Sequence, residues 1–88
     1  MTYSLLDDVA AEIDIPKDGT LSRVLAKDGP VRVVAFAFDM GQELTEHTAS
    51  VPVVVQVISG SVTVEAAGER HRLTPRSWMF LGAGDPHS

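Results

Sequence analysis

From Val31 onward the chain breaks into short β-type segments: Val31 to Asp39, Glu43 to His47, Val51 to Ser59, Ser61 to Ala66, Arg70 to Leu73 and Trp78 to Leu81. Glycine or proline separates most of them, and no gap is long enough to hold a crossover helix. With Leu21 to Ala26 ahead of them, six or seven short strands at this spacing predict an antiparallel sandwich or barrel and argue against a parallel α/β sheet. Val53, Val55 and Val57 alternate with Val54, Gln56 and Ile58, so one face of that strand is wholly β-branched and is expected inside. Val62 and Val64 continue the buried register, with Ser61, Thr63 and Glu65 on the other side. Ser59-Gly60 and Ala67-Gly68 suit tight turns.

Ahead of the β segments, Ser4 followed by Leu5 to Ile13 reads as a short helix with Ser4 as N-cap, acidic residues in the first turn, and Leu5, Val9 and Ile13 on one face. Pro16 and the Lys17 to Gly19 turn end it, and Lys27-Asp28-Gly29-Pro30 ends the strand that follows.

Composition narrows the chemistry. The chain has 88 residues, which suits one small domain. A chain this short buries only roughly 60% of its unfolded surface, so a homodimer is expected to supply further apolar burial. There is no cysteine, which excludes disulfides, thiolate catalysis and Cys-type zinc sites. The net charge of -5, with seven scattered Lys and Arg residues, gives no basic stripe, so neither nucleic acid nor an anionic membrane is an expected partner. No charged start followed by an apolar run opens the chain and no apolar segment approaches the roughly 20 residues of a membrane span; the expected location is cytoplasmic.

Gly41, His47 and Gly60 fall on the pattern G-x5-H-x-H-x3-4-E-x6-G, and Gly84 and His87 fall on G-x5-P-x-G-x2-H-x3-N. In these positions the chain resembles the two motifs of the cupin superfamily, over the stretch from about Val31 to its end. The resemblance implies a double-stranded β-helix (cupin or jelly-roll) barrel, here with a short N-terminal helix, as one domain over residues 1–88. The asparagine of the second motif and the closing C-terminal strand that the resemblance implies are absent from this chain, which has one residue after His87. In that family the histidines and glutamate of the first motif and the histidine of the second bind a divalent metal such as iron, manganese, nickel or zinc. By that analogy only His47 and His87 could serve as metal ligands here, since Ala49 and Val53 stand where the second histidine and the glutamate would be. Two neutral imidazoles make a weak site, since a firmly held metal needs at least a third protein ligand.

The site expected from this reading is a barrel mouth lined by Thr45, His47, Val53, Val55, Trp78, Phe80 and His87, with polar members orienting a small molecule and apolar ones excluding water. Thr45 shares the strand parity of His47, and Glu46 has the opposite parity. Glu43 lies on the inward register at the strand's end, with solvated surface its default. His71, between Arg70 and Arg72, reads as surface, and Phe36 and Phe38 as core or subunit interface. Ser50, Ser59 and Ser77 lack a nucleophile elbow, and Gly82-Ala83-Gly84 lacks the helix and lysine of a phosphate loop, so it reads as a turn before His87. The expected function is small-molecule binding. The rivals are a metal-dependent dioxygenase or isomerase using His47 and His87, and a non-catalytic oligomerisation or regulatory domain.

Overall fold

The computed structural model describes residues 3–88, which are all-β with small antiparallel sheets. They fall into two compact units, one running to Glu43 and the other spanning Leu44–Ser88. No helix among the described residues is long and apolar enough to cross a membrane.

In the first unit the expected N-terminal helix is reduced to one 3-10 turn, Val9–Ala11. Its cap is Asp8 and not Ser4: Asp8 is extended (φ -143°) and its carboxylate accepts the Ala10 N–H at 3.1 Å. The physical reason is packing. A helix this short is unstable in water without a buried face, and Leu5 at the head of the expected stripe stays exposed. Strands β1 (Thr20–Asp28) and β2 (Val31–Phe38) form an antiparallel hairpin, longer than the Leu21 to Ala26 expectation, with a register shift between Val24 and Ala26. Gly29 begins its two-residue turn at φ 55° and Pro30 completes it, a division of labour that matches a type II′ hairpin. Phe36 and Phe38 stack with ring centroids 6.0 Å apart, Phe38 half-buried and Phe36 exposed, while Ala37 on the opposite face is buried.

The open end of this hairpin is held by Asp39. Its carboxylate accepts the N–H of Asp18 at 2.7 Å and that of Met40 at 2.9 Å, and its own N–H donates to the Gly19 carbonyl at 3.0 Å. Asp18 sits at φ 54°, a conformation that a non-glycine residue adopts at a cost and that this bond helps to offset. Asp39→Ala removes two charge-assisted acceptors and is expected to lower stability by about 1–2 kcal/mol, read as a lower denaturant midpoint at unchanged m. An unchanged midpoint would refute the role given to Asp39.

The second unit contains β3 (Val53–Gln56), β4 (Val62–Ala66), β5 (Glu69–Leu73) and β6 (Trp78–Leu81). β3 pairs with β6 and β4 with β5, both antiparallel, and no pairing among the described residues closes a barrel. The expected strand Val51 to Ser59 shortens to four residues, since Pro52 has no N–H for a ladder and residues 58–60 form a bend. The expected strand Glu43 to His47 does not form: residues 43–46 have no ladder partner, and His47 enters one isolated bridge. β4 and β5 are joined by Ala67-Gly68, both at positive φ (53° and 76°), as a type I′ turn requires. Buried Val64, Leu73 and Leu81 form the core of this unit, with Val53, Val55, Val57 and Val62 half-buried on the expected register.

Candidate functional site

Both motif histidines lie in the second unit, and the backbone brings them opposite each other. His47 donates its N–H to the His87 carbonyl at 2.9 Å and His87 returns the bond to the His47 carbonyl at 2.9 Å, a hydrogen-bonded antiparallel pair whose side chains leave on one face. The ring centroids are 4.3 Å apart and the planes meet at 66°. Two more main-chain contacts hold this register. Gly84 donates to the Ala49 carbonyl at 2.8 Å, and Ser88 exchanges bonds with Glu65 at 2.9 and 3.1 Å, so residues 86–88 run between His47 and β4.

Each ring is oriented by the same device. The Nδ1 of His47 lies 2.8 Å from the Thr45 carbonyl and the Nδ1 of His87 lies 2.9 Å from the Asp85 carbonyl. A carbonyl oxygen only accepts, so Nδ1 is the protonated nitrogen in both rings. In the neutral imidazole the Nε2 atoms are then the lone-pair atoms. His47 is exposed and His87 half-buried.

The carbonyl that orients His87 belongs to a turn built by its own side chain. Asp85 accepts the Gly82 N–H on Oδ2 at 3.0 Å and donates its N–H to the Gly82 carbonyl at 3.2 Å. A methyl at residue 82 would stand 2.7 Å from that Oδ2, so any side chain there must push the carboxylate aside. Gly82→Ala is expected to expel the Asp85 carboxylate, cost about 1–2 kcal/mol, and shift the His87 Nδ1–H resonance while leaving that of His47 in place. Equal shifts at both rings would break the link from Gly82 to His87.

The register separates the other expected lining residues. Val53 faces Leu81 and Val55 faces Met79, whereas Val54 faces Phe80 and Gln56 faces Trp78. Antiparallel partners share a face and neighbours alternate, so Trp78 and Phe80 lie on the opposite side of this sheet from Val53 and Val55. They are exposed, at 62% and 56%. The four cannot line one cavity, which corrects the expected barrel mouth. Thr45 contributes its carbonyl to the site; its hydroxyl makes no hydrogen bond among the described residues. His71 is exposed on β5, with Nε2 3.6 Å from the Glu69 carboxylate. A cleft of about 260 Å³ is lined by Glu46, Glu65, the Ala66 to Gly68 turn, Pro86 and Ser88, and neither histidine lines it.

The donor set does not fit a firmly held divalent metal. His47 and His87 supply two nitrogens, no group of three or more His, Cys, Asp or Glu side chains converges among the described residues, and such a metal needs at least three protein ligands. What the pair supplies is two fixed imidazoles with the same tautomer. Sequence reasoning found the turn at Gly82 but missed Asp85 and the Thr45 carbonyl; the shared signal was a turn-forming or hydroxyl residue two places before each histidine.

No known protein family matches the chain, and no curated protein does. Among solved structures the chain is similar to a conserved protein of unknown function from Streptococcus pyogenes, at 26% identity and a TM-score of 0.84. That likeness covers 99% of this chain and 76% of the other.

Proposed function

We propose that this protein is a small-molecule-binding domain of the cupin type, a double-stranded β-helix whose recognition centre is the His47–His87 pair. One observation carries the reading: the two motif histidines meet across a single β bridge, each ring fixed by its Nδ1–H on a main-chain carbonyl. Fixed imidazoles at an accessible place suit ligand recognition, because little rotamer freedom remains to be lost on binding. The reading includes a second copy of the chain as partner, supported by the apolar groups left in water, among them Trp78, Phe80 and Val54 on one sheet face.

The rival is a metal-dependent cupin enzyme of dioxygenase or isomerase type, with His47 and His87 as ligands. The observation in its favour is the Nδ1–H to carbonyl bond, which also orients metal-bound histidines. A screen of a metabolite library against protein labelled with ¹⁵N-histidine and purified without a histidine tag separates the two. The binding reading expects at least one compound to shift the ring resonances of both histidines saturably. Stoichiometric metal that is lost in both His47→Ala and His87→Ala would overturn it in favour of the rival.

A further inference from the structure

The tautomers of the histidine pair restrict what it can bind, and this inference rests on the binding reading above. Because both Nδ1–H groups are spent on the carbonyls of Thr45 and Asp85, neutral His47 and His87 present acceptor nitrogens and no ring donor. With ring centroids 4.3 Å apart, the two imidazoles are close enough for one small molecule to touch both. We infer that the ligand carries two adjacent N–H or O–H donors and is neutral or cationic, as in a vicinal diol or an amidine, and that it is read by the two Nε2 lone pairs together.

Charge points the same way. The segments that carry the pair, residues 44–47 and 85–88, contain Glu46 and Asp85 and neither lysine nor arginine. Of the three arginines in the second unit, Arg70 sits 3.6 Å from Glu65, Arg72 donates to Ser61 Oγ at 3.3 Å, and Arg76 lies in the turn ahead of β6. A carboxylate or phosphate would meet two lone pairs with no lysine or arginine on these segments to offset its charge, whereas a donor pair meets its complement. Both rings are also fixed before the ligand arrives, so a chelating donor pair gains the second hydrogen bond at small entropic cost.

The test uses the full chain labelled with ¹⁵N-histidine at pH 8.5, where long-range ¹⁵N–¹H spectra read the tautomer of each ring directly. Acetamidinium and cis-cyclopentane-1,2-diol are the donor probes, and the dimethyl ether of that diol and acetate are the controls without a donor pair. Both rings are expected as Nδ1–H tautomers, and the two Nε2 resonances are expected to move together with a donor probe and to stay with the controls. An Nε2–H tautomer in either ring, or equal responses to diol and dimethyl ether, would overturn the ligand class. If acetate or another donor-free compound binds at the pair, the binding reading stands and the ligand class falls. If neither the probes nor a metabolite library moves either ring, both fall.

Discussion

Leu81→Ala is expected to destabilise the protein by about 2–5 kcal/mol, the range for truncating a leucine in a packed interior. Leu81 is 5% exposed and pairs with Val53 across the β3–β6 ladder, on the face that also carries Val55 and Met79. Its neighbour Phe80 is larger and just as apolar, yet Phe80→Ala is expected to change stability by less than about 1 kcal/mol, because that side chain is already largely in water. Urea unfolding of the two variants side by side makes the check. A Phe80→Ala loss equal to that of Leu81→Ala would mean that the outer face of β6 is covered in solution, and would favour the second copy proposed as partner.

His87→Ala is expected to weaken binding by about two- to tenfold for the neutral diol and by about tenfold or more for acetamidinium, while changing stability by less than about 1 kcal/mol. The affinity figure is the loss of one hydrogen bond, worth about 0.5–1.5 kcal/mol when neutral and about 1.5–3 when the donor is charged. The small stability figure follows from where the bridge is made: both 2.9 Å bonds between His47 and His87 are main-chain bonds, and alanine keeps them. Adding His47→Ala should cost less than a second full step if the rings bind one ligand together, since coupled groups are not additive. Titration and thermal unfolding of the single and double variants measure both quantities. A large loss of stability with unchanged affinity would make His87 a structural residue and not a recognition residue.

Much of the architecture was legible because it rests on short-range rules. Alternation in Val53 to Val57 and Val62 to Val64 located the buried register, and glycine or proline at Gly29-Pro30 and Ala67-Gly68 marked the hairpin turns. The N-terminal segment was misread for the complementary reason. Its apolar spacing satisfies a helix, but a stripe becomes a helix only where something covers it, and Leu5 is not covered. The strand expected at residues 43–47 failed likewise, because a strand is defined by its partner.

For the site, motif spacing singled out His47 and His87 forty positions apart, which the structure joins in one bridge. Spacing alone could not say which nitrogen each ring offers. That depends on the Thr45 and Asp85 carbonyls, and behind Asp85 on a glycine at residue 82 that leaves room for a carboxylate. The grouping of Trp78 and Phe80 with Val53 and Val55 failed on register, since a shift of one residue in pairing exchanges the two faces of a strand.

The sequence by itself determined the all-β class, the turn positions, the buried valine register and the two histidines, because alternation, turn propensity and side-chain chemistry are properties of neighbouring residues. Only the tertiary structure decided which strands pair, which face of β6 enters the core, and that the Nδ1 of each imidazole is held on a main-chain carbonyl, because each of these depends on a hydrogen-bond partner distant in the chain or on a carbonyl whose direction the local turn sets.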